Sequence, residues 1–336
     1  MKISEQWLRQ WVNPTNTSEQ LAEQLTMAGL EIDDRYAVAR AFSGVVVGEV
    51  ISVEQHPDAD KLRVTQVNIG DAEPLQIVCG APNVTVGMKA PVATVGAVLP
   101  SDDKKGFKIK KSKLRGVASN GMLCGASEID LVDDIDGLLE LPKDAPVGTD
   151  IREYLGLDNQ ILDISITPNR GDCFSVRGIA REISVINDLS VQMPEISANT
   201  AGTAATPAVT VDAKEACPRY LLQSIHNIDR SIDTPKWMQD ALVQSGLRSH
   251  NFLVDVTNYV LMELGQPLHA FDADTIEGDI VVRLAKPDET ITLLNEQTVT
   301  LTGDELVIAD DKGALALAGI MGGQRSSVTD STTNIV

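Results

Sequence analysis

Val45-Val46-Val47-Gly48-Glu49-Val50-Ile51-Ser52-Val53 is followed by the turn His56-Pro57-Asp58-Ala59-Asp60 and the run Lys61-Leu62-Arg63-Val64-Thr65-Gln66-Val67-Asn68-Ile69. Both runs are short and rich in β-branched residues, and a proline and three acidic or polar residues separate them, so they read as strands. Leu75-Gln76-Ile77-Val78-Cys79-Gly80 and Pro91-Val92-Ala93-Thr94-Val95-Gly96-Ala97-Val98-Leu99 repeat the texture, with turn clusters at 70–74 and 81–87 between them. Strands of this length and spacing predict a small barrel or sandwich over residues 42–148.

Helical signals flank this β region. Ser4 is placed to cap a helix carrying Trp7, Leu8 and Trp11, which stops before Asn13-Pro14. Thr17 and Gln20 have capping-box spacing; Leu21, Leu25 and Ala28 then share one stripe, and Gly29 suits the C′ position. On the far side, the apolar run Ile161–Thr167 leads through Pro168-Asn169-Arg170-Gly171 into a helix with Val176, Ile179, Ala180, Ile183 and Ile186 on one face. The arrangement predicts one small helical domain, residues 1–41 plus 149–190, interrupted by the barrel. Three domains in a row is the alternative order.

Residues 191–208 are small, polar and proline-punctuated, a linker composition. Beyond it, residues 209–336 read as a mixed α/β domain. Thr234-Pro235 predicts a capped helix through Trp237, Met238, Ala241 and Leu242 to Gly246, and a second helix is predicted from near Thr257 to Gly265. Strands follow at 280–285, 290–294, 297–301, 305–310 and 314–319. Asn334-Ile335-Val336 reads as the start of another strand, which predicts that the domain continues beyond residue 336.

Composition narrows the function. Forty-eight acids against twenty-eight bases give a net charge of −20, which excludes a general cationic glove for nucleic acid. The N-terminus lacks a signal-peptide pattern, and no apolar run is long enough to span a membrane. Cys79, Cys124, Cys173 and Cys217 lie 44 to 49 residues apart, and the four histidines have no metal-ligand spacing. A cytoplasmic protein with reduced thiols and no metal is expected. One local exception to the acidity stands out. Seven of the twelve residues from Lys104 to Arg115 are cationic. As a strand, this run would turn Phe107 and Ile109 into a core and Lys108 and Lys110 outward. It then either tracks a phosphate backbone or guards a solvated edge.

Val45–Val50, His56–Leu62, Gln76–Asn83, Leu114-Arg115-Gly116 and Ser119–Cys124 together resemble, in order, the tRNA-binding OB module of synthetase-associated proteins. That resemblance implies RNA contacts by Lys61, Lys104, Lys105, Lys108, Lys110, Lys111, Lys113 and Arg115, with the Gly80–Asn83 loop at the barrel mouth. A second resemblance covers the whole chain. Ile164–Cys173, Val254–Val260, Glu263–Asp272 and Ala318–Gly323 make it similar to the bacterial phenylalanine–tRNA ligase β subunit, whose intact form is more than twice as long.

The family resemblance implies an α+β multidomain fold: an OB-fold β-barrel inserted in a small helical, winged-helix-like domain, then a mixed α/β editing domain. It implies an editing pocket that hydrolyses mischarged Tyr-tRNA(Phe), with His269, Thr257 and Asn258 as catalytic candidates and Arg248, Pro267 and Gly322 binding substrate. Read without the family, Thr257 is a helix cap, His269 a structural histidine, Gly322 a turn residue and Arg248 a surface ion-pair partner. The resemblance further implies tRNA(Phe) and an α subunit as partners, in an α2β2 heterotetramer. It implies no cofactor in this chain; ATP and Mg2+ would serve the holoenzyme, whose amino-acid-activating site is on α. A glutamate just past Val336 would receive the tyrosine hydroxyl. The alternative is a non-catalytic tRNA-binding and subunit-docking scaffold.

Overall fold

The computed structural model describes residues 1–101, 106–131, 136–197, 202 and 206–336. It divides into two compact units, one formed by Met1–Asp34 with Leu162–Val336, the other by the intervening Arg35–Ile161.

In the intervening unit the strands follow the hydrogen-bonded order Gly121–Leu123, Lys89–Leu99, Ser43–Gln55, Arg63–Asn68, Leu75–Cys79, and Phe107–Lys108 pairs with the end of Lys89–Leu99. The thirteen-residue strand Ser43–Gln55 organises the rest. Its first half pairs with Lys89–Leu99, and its second half with Arg63–Asn68, where the register slips between Val50 and Ser52. The strand feeds two cores, Val45 and Val47 packing with Ala93, Ala97 and Ile129, and Val50 with Val67, Ile77 and Val92. Gly48 lies between these positions. A Cβ there would sit 2.3 Å from Val92 Cγ2 and 3.0 Å from Val67 Cγ1, so only glycine lets the strand pass.

The expected closed barrel is not formed by a continuous ladder. Among the described residues, the two outer strands of this sheet are not paired with each other. The gap beside Leu75–Cys79 is instead bridged singly: Asn120 N–H donates to Gln76 O (2.9 Å), Gln76 Nε2 to Ala118 O (2.8 Å) and Val78 N–H to Ser119 Oγ (3.1 Å). Val117–Ser119 adds no ladder pairing to Leu75–Cys79 and pairs instead in a separate hairpin with Ser112–Leu114.

The other unit begins with strand Lys2–Ser4, which enters a three-stranded sheet with Gln160–Ser165 and Glu31–Ala37, and continues into helices Glu5–Trp11 and Ser18–Met27. Ser4 Oγ accepts from Trp7 N–H, and both bonds of the Thr17–Gln20 capping box are made. Trp7, Leu8, Leu21 and Leu25 share one core with Leu162, Ile164, Val176 and Ile179, so the segments on either side of the intervening unit are packed together. Helices Lys236–Gln244 and Phe252–Leu264 add Ala241, Tyr259 and Met262 to this core, and Tyr259 stacks on Trp7 with ring centroids 4.7 Å apart.

The two helix starts differ from their expected positions. Thr234 does not cap; its hydroxyl donates to buried Asp255 Oδ2 (2.6 Å), and the helix begins at Lys236. The second helix starts at Phe252, capped by Asn251 accepting from Val254 N–H, so Thr257 lies well inside it. In each case a side-chain oxygen with a better-placed partner decides the boundary.

The remaining sheet runs Val209–Val211, Ile280–Leu284, Leu306–Ala309, Ala314–Leu317, Met321–Gly322; its first pair is parallel and the others antiparallel. A small hairpin, Thr290–Thr292 with Thr298–Thr300, is held beside it through Glu289. That carboxylate takes two Arg283 bonds of 2.8 Å, with further bonds from Lys286 N–H and Ala314 N–H.

The Arg283 hydrogen bonds outweigh partial burial and hold the Glu289 pKa down at about 2, from an ordinary 4.5. A depressed carboxyl stabilises the fold fully above its unfolded value and loses that contribution as pH falls through the folded one. Glu289→Gln should therefore cost roughly 2–3 kcal/mol at neutral pH. It should also flatten the stability loss between pH 4.5 and about 2, measured by thermal unfolding across that range.

Candidate functional site

Two places in the chain have the makings of a site, one in each unit. The first is built on the segment that leaves helix Phe252–Leu264. Gly265 ends that helix with φ +73, a left-handed conformation suited to glycine. Gln266, Pro267 and Leu268 then run exposed to His269. Two residues later Phe271, 1% exposed, is sunk among Ile280, Val282, Ile308 and Leu315. Its backbone pairs in both directions with Val336 (2.9 and 3.0 Å), and Asp272 N–H donates to Ser326 O. Buried Asp272 also accepts from the Thr332 hydroxyl at 2.6 Å. The chain is thus fixed immediately after His269.

The imidazole meets the Phe271 ring edge-on, centroids 4.6 Å apart, and lies directly against Gly322. A Cβ at residue 322 would stand 2.4 Å from His269 Cε1, 2.7 Å from Nε2 and 3.3 Å from Leu294 Cδ1. Gly322 O is held by Leu294 N–H at 3.0 Å, so the backbone under the ring is fixed as well. His269 keeps one edge in solvent, yet this crowding desolvates the ring enough to push its pKa below the ordinary 6.5. It makes no hydrogen bond to another described residue. It is therefore a neutral imidazole near pH 7, without a carboxylate to orient it.

The other expected site residues are not drawn into this contact. Thr257 is not a helix cap; in mid-helix its hydroxyl donates to Val254 O (2.7 Å), so it offers no free helix-terminal N–H groups. Asn258 is half-buried on the same helix, and Arg248 and Pro267 are exposed on the loops at its two ends. No hydrogen bond or ion pair among the described residues joins any of these four to His269 or Gly322.

Asp255, which sequence reasoning missed, organises the Arg248 end. Fully buried, it accepts from Thr234 and Ser249 hydroxyls (both 2.6 Å) and His250 N–H (2.8 Å). Its signal was an acid inside an otherwise apolar helix. Gly323, beside Gly322, lines a 470 Å³ cleft with Thr290, Thr292, Gln324 and Arg325, whose guanidinium is already paired with Asp310. Asp172, Cys173 and Glu182 cluster closely enough to suggest a metal. Arg170 fills that cluster instead, 2.8 Å from both Cys173 Sγ and Glu182 Oε1.

The second place is the basic hairpin. Arg115 (φ +44) and Gly116 (φ +86) make a two-residue turn with both residues left-handed, joining Ser112–Leu114 to Val117–Ser119. His56, 2% exposed, ties the hairpin tip to the acidic turn. Its Nδ1 accepts from Asp58 N–H (3.0 Å), so Nε2 carries the proton and donates to Leu114 O (3.0 Å). The loop bearing Lys61 closes on itself through His56 N–H to Leu62 O.

Lys61, Lys108, Lys110, Lys111, Lys113 and Arg115 are all exposed, and none forms an ion pair among the described residues. Lys104 and Lys105 lie outside the described residues. Ile109 is buried as expected, but Phe107 is not: it is 57% exposed. Asn83, expected at a ligand-facing loop, is engaged structurally, its amide exchanging two hydrogen bonds with the Leu138 backbone.

Comparison with known proteins places both units. Residues 45–150 match the family described as "Putative tRNA binding domain", and residues 216–336 the B3/4 domain. The phenylalanine–tRNA ligase β subunit of Psychrobacter arcticus is 88% identical over the whole chain, and that of Acinetobacter baylyi 64%. The chain spans 42% of the length of each. A solved N-terminal fragment of the Pyrococcus horikoshii phenylalanyl-tRNA synthetase β subunit is 17% identical, covering 53% of this chain and 55% of that one, with a TM-score of 0.27, too low to carry a structural argument. Among the described residues no helix is long and apolar enough to cross a membrane.

The Gly322 contact has a direct consequence. In Gly322→Ala the His269 ring must leave its place, because 2.4 Å is closer than a Cβ tolerates. The ring has solvent to move into, so the stability cost should stay near the low end of an overpacking change, about 1 kcal/mol. The displaced imidazole should titrate nearer 6.5, measured by NMR titration alongside thermal unfolding. Taken with the whole-length identities, the tRNA-binding and B3/4 matches make this chain a member of the phenylalanine–tRNA ligase β-subunit family, corresponding to its N-terminal portion.

Proposed function

We propose that this chain supplies the editing and RNA-holding parts of a phenylalanine–tRNA ligase: hydrolysis of mischarged Tyr-tRNA(Phe) around His269 and Gly322, and tRNA contact along the basic hairpin. In this reading the intervening unit is an OB-type module, set into a winged-helix-like domain. The intact enzyme is a cytoplasmic α2β2 assembly, with phenylalanine activation, ATP and Mg2+ on the α subunit.

The observation that carries the editing reading is the His269 ring seated directly on Gly322, where no Cβ displaces it. Tyrosine differs from phenylalanine by one hydroxyl, and an apolar synthetic pocket rejects an added hydroxyl only weakly, so a second hydrolytic site has a purpose. Hydrolysis needs a water placed against the ester carbonyl. A neutral imidazole accepts a hydrogen bond from that water and orients it. Without a carboxylate partner it is a weak base, so positioning and backbone amides that polarise the carbonyl carry most of the rate. Gly322 leaves room for the His269 ring to lie directly against the backbone. Thr257, Asn258, Arg248 and Pro267 belong to the walls of this pocket in the same reading.

The test is deacylation of Tyr-tRNA(Phe) by this chain and by the full-length β subunit with its α partner. The longer protein should be far faster, and His269→Ala should slow it while leaving Phe-tRNA synthesis intact. Because the imidazole pKa is depressed, the rate should stay flat above 6.5 and fall only at lower pH, as the ring protonates. A rate unaffected by His269→Ala would leave the chain as a non-catalytic docking scaffold.

RNA binding rests on exposed cations that form no ion pair among the described residues, in a chain whose net charge is −20. Reversing Lys108, Lys110 and Lys111 to glutamate should weaken tRNA binding and flatten its dependence on salt, because fewer counterions are released. Unchanged affinity and salt slope would make the run a solubility device.

A further inference from the structure

Phe107 is anomalous. A strand places residues i and i+2 on one face, and Ile109 is 6% exposed, yet Phe107 is 57% exposed. Gly106 is left-handed, φ +66, and so close to the neighbouring strand that a Cβ would fall 2.6 Å from Val98 Cγ1 and 2.8 Å from Leu99 O. The chain is pressed against Lys89–Leu99 there, with Phe107 opposite Leu99 and Lys108 opposite Val98. The aromatic ring is left outside the two cores of this unit, neither of which includes it.

A solvated edge guarded by lysines explains Lys108, Lys110, Lys111 and Lys113. It does not explain an exposed phenylalanine among them, because a bare aromatic on an edge invites the association that the charges oppose. A ring flanked by cations is instead the arrangement that holds an unpaired nucleobase: the ring stacks on the base face, and the ammonium groups take the phosphates on either side. Stacking of this kind requires an unstacked base, which duplex RNA does not offer without opening. Leu114, 41% exposed between Lys113 and Arg115 at the hairpin tip that His56 anchors, is a second exposed apolar side chain beside cations.

We propose that Phe107 is a stacking platform for an unpaired RNA base, so that this surface recognises single-stranded or loop RNA in preference to duplex. This rests on the RNA-binding reading above and gives it a ligand class. The phosphate contacts of Lys108, Lys110 and Lys111 supply affinity for either form of RNA, and Phe107 supplies the preference.

The experiment measures binding of the whole chain to two probes, an unstructured oligoadenylate and a blunt RNA duplex of the same length, by fluorescence anisotropy. Phe107→Ala should weaken oligoadenylate binding about tenfold and leave duplex binding unchanged. Phe107→Tyr, which keeps the ring, should restore it. Thermal unfolding identifies any loss caused by misfolding, and an exposed ring should be replaceable without one. If Phe107→Ala leaves oligoadenylate binding intact while the lysine reversals abolish it, the stacking proposal is overturned and the RNA-binding reading stands. Equal loss on both probes, or no rescue by tyrosine, also overturns stacking. If the wild-type chain binds neither probe, the RNA-binding reading falls and the proposal with it.

Discussion

A ring packed against an absent side chain is the constraint on which the candidate site depends. His269 occupies its place only because residue 322 has no Cβ, and it is held there because Phe271 is buried and hydrogen-bonded to Val336 on both sides. Core packing, strand pairing and chemistry meet within three residues. Burial of Phe271 sets the backbone, the backbone aims the imidazole, and the crowding that results keeps the imidazole neutral. The Asp272–Thr332 bond reinforces the same corner from inside the core.

The intervening unit solves a different problem with similar economy. A long bent strand feeds two small cores, and the hairpin that fails to complete the barrel ladder projects a cationic tip. Buried His56 joins that tip to the acidic turn, using one ring nitrogen as acceptor and the other as donor. Against the strong net acidity of the chain, the hairpin is a local concentration of positive charge.

Much of the fold was legible in the sequence because local chemistry and the final structure agree. The Ser4 and Thr17 caps and the β-branched runs all act over a few residues. Errors arose where a distant partner decided the outcome. Thr234 reads as a cap until Asp255, far along the chain, claims its hydroxyl. Helix Phe252–Leu264 is apolar on most sides, so periodicity could not locate its start, and Thr257 was placed at an end it does not occupy. Phe107 reads as core from strand alternation, and its register partner Leu99 is buried, yet its own ring is left 57% exposed. The contact between His269 and Gly322 spans 53 residues of sequence, and nothing in their spacing reveals it; only resemblance to a family pointed to both.

The central claim is that the imidazole over Gly322 faces the ester to be hydrolysed. Each of the four histidines has its own C–H resonances, so NMR of the chain with a non-hydrolysable 3′-tyrosyl adenosine analogue addresses that claim directly. The account predicts that His269 resonances shift on addition of the analogue, while those of buried His56 in the other unit stay in place. Unmoved His269 resonances at saturating analogue, with shifts elsewhere in the chain, would contradict it.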